Sequence, residues 1–84
     1  MANILIIDDH PVARLAVRML LEKEVYTIVA EADEGYEALR LIREIQPDMI
    51  VVDLDIPGLS GIELIEKLRA GEYSGGILVL TARD

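Results

Sequence analysis

Met49-Ile50-Val51-Val52-Asp53-Leu54-Asp55-Ile56-Pro57-Gly58 is the stretch whose reading decides the fold. Four apolar residues run straight into a carboxylate, and Pro57-Gly58 punctuates the chain within five positions. A run this short and this apolar is expected to be a strand buried on both faces, as in a parallel sheet covered by helices. Asp53 then stands at the carboxyl end of that strand, the edge at which open α/β sheets bind ligands. Two other strand-like runs, Asn3 to Ile7 and Gly76 to Thr81, lead into or end on polar groups, Asp8-Asp9 and Thr81. These are expected to converge on the same edge.

Between the strands lie helical patterns. Pro11 suits the first turn of a helix, where its missing N–H costs nothing. Val12, Leu15, Ala16, Met19 and Leu20 then form one apolar stripe, with Arg14, Arg18 and Glu22 off it. Tyr26 to Ala32 has β-branched residues and partial alternation, as expected of a strand nearer the sheet edge. Asp33 is the expected cap of a second helix with the stripe Ala38, Leu39, Ile42 and Ile45. Gln46-Pro47 ends it, because the residue before proline avoids the α region. Ser60-Gly61-Ile62-Glu63 has the form of a capping box, and Ile62, Ile65 and Leu68 make the third stripe. A turn over Ala70 to Gly75 leads to the last strand. The order βαβαβαβ implies an α/β fold with a parallel sheet, right-handed crossovers and helices on both faces. The pattern does not fix the order of strands in the sheet.

Composition narrows the chemistry. The 84 residues make one small domain, 52% apolar, with three Tyr and neither Phe nor Trp, so Ile, Leu and Val must fill the core. There is no cysteine, hence no disulfide framework and no thiolate metal site. The formal charge of −8 makes nucleic acid and anionic membrane surfaces poor partners and favours cations. The N-terminus reaches its aspartates too soon for a signal peptide, and no apolar run approaches membrane-spanning length. A cytoplasmic chain is expected.

Asp8, Asp9 and Asp53, if brought together, repel one another unless a cation intervenes. Hard carboxylate oxygens without His or Cys support suit Mg²⁺ rather than zinc, and Mg²⁺ favours sites shared with phosphate oxygens. A carboxylate beside such an ion can act as a nucleophile toward phosphorus. The reaction also needs donors for the other phosphoryl oxygens, a part that Thr81 and loop N–H groups would fill.

At this point the residues resemble a known family. Asp8-Asp9 after the first apolar strand, Asp53 after the third with Pro57-Gly58 behind it, and Thr81-Ala82 after the fourth are similar to the receiver domain of bacterial two-component response regulators. Asp8-Asp9-His10-Pro11 resembles the NarL/FixJ-type branch, and Asp53 to Gly58 with Arg69 to Gly75 is most similar to the EvgA/BvgA kind of regulator. The resemblance runs over residues 1–84. It implies a flavodoxin-like (CheY-like) doubly wound sheet in the order 2-1-3-4. It further implies that Asp53 accepts the phosphoryl group, and that Asp8, Asp9, Asp53 and the backbone carbonyl of Asp55 hold Mg²⁺. Thr81 would bind a phosphoryl oxygen and act as the switch. The phosphodonor would be a sensor histidine kinase or phosphotransfer protein, in the phosphorelay of a transcriptional regulator. The family also suggests kinase docking on the first helix, near Arg14 and Arg18.

The chain departs from the family pattern after the fourth strand: a further helix, a fifth strand ending in lysine, a last helix and the output domain are expected elements not found in it. Its lysines are Lys23 and Lys67, both on expected helices. The reading is therefore a truncated receiver with no catalytic lysine, no direct DNA binding and an exposed apolar edge over residues 76–81, prone to self-association. It is not an enzyme, beyond self-phosphorylation and dephosphorylation. Asp53-Leu54-Asp55 also resembles the Asp-x-Asp nucleophile motif of haloacid-dehalogenase-type phosphatases, which leaves Asp8-Asp9 unexplained. An inert α/β fragment acting only in assembly is the third reading. His10 is expected to be incidental, Ser60 a helix cap, and the arginines of the first two helices solvated.

Overall fold

The apolar runs at residues 4–7 and 50–52 form the centre of the molecule, each residue at most 1% exposed. The computed structural model describes residues 2–71 and 73–80. Its elements are β1 (Ala2–Ile7), α1 (Pro11–Glu22), β2 (Tyr26–Ala32), α2 (Gly35–Ile45), β3 (Met49–Asp53), α3 (Gly61–Ala70) and β4 (Gly76–Leu80). All pairings are parallel and the order is β2-β1-β3-β4. This is the doubly wound order 2-1-3-4 that the family resemblance implies and that periodicity left open.

Strand alternation sends side chains to two layers. Leu5, Ile7, Ile50 and Val52 pack with Ala38, Leu39 and Ile42 of α2 and Leu64 and Leu68 of α3. Ile4, Ile6 and Val51 face the other way, onto Val17 and Leu21 of α1. Burial on both faces is why β1 and β3 read as unbroken apolar runs. In the sheet Ile7 is opposite Val52, so Asp8 and Asp53, the next residues on adjacent strands, become neighbours.

Four expectations are corrected. The apolar stripe of α1 faces away from the sheet: Val12, Leu15, Met19 and Leu20 are exposed. At about 100° per residue, Arg14, Val17, Arg18 and Leu21 share the opposite arc, and the crossover geometry turns that arc inward. The arginines of α1 are consequently tied down rather than solvated. Arg14 and Arg18 both bond Glu31 of β2, whereas Arg40 of α2 is solvent-facing and pairs with Glu37 and Glu44. On α3 the buried arc is Gly61, Leu64 and Leu68 with Ile65 beside it, and Ile62 is exposed. Finally, Glu34 rather than Asp33 caps α2, its side chain accepting from the Glu37 amide.

The capping box at α3 forms. Ser60 Oγ accepts from the Glu63 amide at 3.2 Å and donates to Glu63 Oε1 at 3.1 Å. Gln46 ends α2 in the left-handed region, φ 53°, before buried Pro47. β4 is an outer strand with Leu78 and Val79 exposed. The strand ends at Leu80, and Thr81 lies outside the described residues. Among the described residues no helix is long and apolar enough to cross a membrane.

The β3–α3 loop is held against the start of α2. The Gly35 amide donates to the Pro57 carbonyl at 3.0 Å, and a Cβ on Gly35 would overlap the Leu59 backbone. Gly35→Ala is expected to cost about 1–3 kcal/mol of unfolding free energy, read from urea midpoints, because backbone cannot yield as a flexible side chain does. An unchanged midpoint would show that the loop is not packed there.

Candidate functional site

The two central strands, β1 and β3, hand carboxylates to the same edge. The Asp8 amide continues the β1–β2 ladder by donating to the Ala32 carbonyl at 3.0 Å, which fixes Asp8 as a rigid extension of β1. Its side chain is buried, and Oδ1 accepts from the His10 amide at 2.8 Å. Asp53 is the last residue of β3 and is also buried. Its Oδ1 accepts from the Asp55 amide at 3.0 Å, which orients the carboxylate and sets the first turn of the loop. Asp55 itself is exposed. Asp9 is partly open to solvent, yet its Oδ1 is closed off and accepts no hydrogen bond among the described residues.

His10 stands over these groups. Its Nδ1 lies 3.0 Å from Asp8 Oδ1, 3.0 Å from Asp9 Oδ1 and 3.7 Å from Asp53 Oδ2. The imidazole makes no helix-capping bond, although His10 is the N-cap of α1. The hydrogen bond with Asp8, then the negative charge of Asp9, raise the His10 pKa above its ordinary value. One donor atom from each of Asp8, Asp9, His10 and Asp53 falls within 4.8 Å of all the others.

Arg14 braces the cluster from behind. Nη1 donates to the Asp8 carbonyl at 2.7 Å and Nε to Glu31 Oε1 at 3.1 Å, so one side chain joins α1, the end of β1 and β2.

The structure thus brings together Asp8, Asp9 and Asp53 as the sequence predicted, with Asp55 bonded to Asp53. It adds two residues that the sequence reading set aside, His10 and Arg14. For His10 the available signal was adjacency, since a residue following Asp8-Asp9 at a strand end can fold back over them. For Arg14 there was none, because its partners lie on other elements. Lys23 follows the last turn of α1 and Lys67 is in the last turn of α3. Helices that cross back over a parallel sheet end at its amino edge, so neither lysine reaches the cluster. Three hard carboxylate oxygens brought within 4.8 Å of one another, one of them closed to solvent and accepting no hydrogen bond among the described residues, fit a small divalent cation such as Mg²⁺.

Comparison with known proteins agrees with this geometry. Residues 4–84 match the response regulator receiver domain family. The chain is 44% identical over 82 residues to the DNA-binding transcriptional activator EvgA of Escherichia coli, covering 98% of the chain and 40% of EvgA. It is 45% identical over 81 residues to the virulence-factor transcription regulator BvgA of Bordetella pertussis, covering 96% of the chain and 39% of BvgA. The chain therefore spans about two fifths of the length of these relatives. Among solved structures, the NarL signal receiver domain of Mycobacterium tuberculosis superposes with a TM-score of 0.93 at 32% identity, over 99% of this chain and 68% of that one. The isolated receiver domain of RcsB from Salmonella enterica serovar Typhimurium, solved in the presence of the phosphomimetic BeF3−, gives 0.91 at 28%, over 99% and 63%.

Arg14→Gln is expected to lower the unfolding free energy by about 1.5–3 kcal/mol, the usual worth of a hydrogen bond to a charged donor in a half-buried setting. The amide signals of Asp8 and Asp9 should shift more than those of the α2–α3 layer. Equal small shifts everywhere would show that Arg14 does not brace the strand end.

Proposed function

This chain belongs to the response regulator receiver domain family, and from that premise we propose that it is a phosphoacceptor module, one receiver unit over residues 1–84, with Asp53 as the phosphorylated residue. The observation that carries the reading is the convergence of Asp8, Asp9 and Asp53 at adjoining strand ends. Two of the three are buried, where like charges have no use unless something positive or electrophilic is to be met.

Asp8, Asp9, Asp53 and the backbone carbonyl of Asp55 would hold Mg²⁺, which supplies neutralisation of charge on the incoming phosphoryl oxygens. A carboxylate oxygen of Asp53 forms the new O–P bond as the bond from phosphorus to the donor breaks. The donor's leaving group departs with the electron pair and takes up a proton. The Asp55 amide holds the Asp53 carboxylate in place for this in-line attack. Thr81 is the proposed ligand of a phosphoryl oxygen and the switch residue.

A sensor histidine kinase or phosphotransfer protein is the proposed phosphodonor, which puts the chain in the cytoplasm. The relatives' names mark them as transcription regulators, and the same role in transcription is proposed here, with DNA contacted by an output domain rather than by these residues. Their charge of −8 opposes direct DNA binding. The chain turns over no substrate in this reading. A phosphatase of the haloacid-dehalogenase kind is disfavoured, because it assigns no part to Asp8 and Asp9.

The test is incubation with Mg²⁺ and acetyl phosphate. One phosphoryl group is expected on Asp53 by mass spectrometry, slowly gained because no described lysine reaches the site, and absent in Asp53→Asn. That variant should also bind Mg²⁺ about tenfold more weakly. Label on another residue, rapid turnover of many phosphate esters, or Mg²⁺ affinity untouched by the substitution would each overturn the reading.

The exposed outer strand β4 leads us to propose self-association of the 84-residue chain, through the open hydrogen-bonding edge beside Leu78 and Val79. Sedimentation is expected to show concentration-dependent dimers that Val79→Lys disperses. A sharply melting monomer at high concentration would exclude them.

A further inference from the structure

Resting on the receiver reading above, we propose that His10 supplies a nitrogen ligand to the acidic pocket, so that it takes a nitrogen-accepting transition-metal cation such as Ni²⁺ or Co²⁺ far better than its carboxylates alone would. The placement of Nδ1 carries this. It stands 3.0, 3.0 and 3.7 Å from one oxygen each of Asp8, Asp9 and Asp53. Neighbouring ligand atoms on an octahedron with bonds of about 2.1 Å are separated by roughly 3.0 Å. The imidazole nitrogen, hydrogen-bonded to Asp8 Oδ1, therefore stands at a ligand's distance from the Asp8 and Asp9 oxygens, and one donor atom from each of the four residues lies within 4.8 Å of all the others.

Two further features bear on the same point. His10 is the N-cap of α1, and its side chain makes no capping bond to the helix, so the ring is turned to the pocket and not to its own backbone. Oδ1 of Asp9 is closed to solvent, and its near neighbour is the ring itself, Nδ1 at 3.0 Å, so a cation bound between them would meet both at once. The ring itself is 65% exposed on the outer side. It can therefore adjust by tenths of an ångström without disturbing the core.

Donor chemistry sets the preference. Three carboxylates alone are a hard oxygen site in which Mg²⁺ is at home. Imidazole suits Co²⁺, Ni²⁺ and Zn²⁺, and Mg²⁺ gains little from it. His10 is thus a specificity-determining residue, and its removal acts unequally on different ions.

The experiment compares the full chain with His10→Gln, binding Mg²⁺ and Ni²⁺ in parallel calorimetric titrations. Glutamine keeps a polar side chain at an exposed position, so the variant is expected to fold. The Ni²⁺ affinity should fall about tenfold or more, and the Mg²⁺ affinity should change by less than about twofold. With Co²⁺ bound, the native chain should show an exchangeable, strongly shifted proton resonance from Nε2–H of an imidazole held through Nδ1. The variant should lack it. Equal Ni²⁺ affinities, or no such resonance, overturn the role of His10 and leave the receiver reading standing if Mg²⁺ still binds. Failure of both ions to bind the native chain overturns both.

Discussion

Parallel pairing of β1 with β3 is the constraint on which everything else rests. The pairing sets Ile7 beside Val52 and so forces Asp8 and Asp53 into neighbouring positions. Two like charges about 4 Å apart repel by about 4 kcal/mol at an effective dielectric near 20. Against this stand the side chains of residues 4–7 and 50–52, all at most 1% exposed. Burying each is worth about 1.5–3 kcal/mol. The hydrophobic term is several times larger, so the sheet holds the carboxylates together despite their charge. By the same balance, the cost of assembling these carboxylates is met by the core, so a cation or phosphoryl group of the kind proposed above would find the site prepared.

The remaining elements fix the direction of that charge. Asp8 is locked by its amide on Ala32 and by Arg14 on its carbonyl, and Asp53 by the Asp55 amide. Each lock runs through backbone or through a neighbouring element, so the side chains have little freedom left to reorient. The loop after β3 is in turn pinned by the close approach of Gly35 to the Leu59 backbone and by the Gly35–Pro57 hydrogen bond. A receiver site is built in this way from ordinary βα turns, and its chemistry comes from what the sheet refuses to let move apart.

α1 shows how a strong pattern can mislead. Its most apolar arc, Val12 to Leu20, is the arc that any amphipathic reading would bury, and it is exposed. The inward arc carries two arginines, which are accommodated because Glu31 on β2 offers both of them a carboxylate and the Asp8 carbonyl offers Arg14 another acceptor. Periodicity measures where apolar residues lie on a helix. It does not know which side the crossover presents to the sheet, nor that a partner acid waits on another strand. The shift from Ile62 to Leu64 on α3 has the same origin, since close packing of Gly61 against Leu54 sets the rotation of the helix.

By itself the sequence determined the alternation of strands and helices, the double burial of β1 and β3, the Ser60 capping box and the carboxylates Asp8, Asp9 and Asp53 as strand-end residues. All of these depend on residues within a few positions of one another, where composition and spacing act directly. Tertiary structure alone decided which arc of α1 and α3 meets the sheet, that Arg14 reaches both Asp8 and Glu31, and that the imidazole of His10 closes over three carboxylates. Those contacts join residues on different elements. Their distances are set by strand register and crossover geometry, quantities that no local pattern of letters contains.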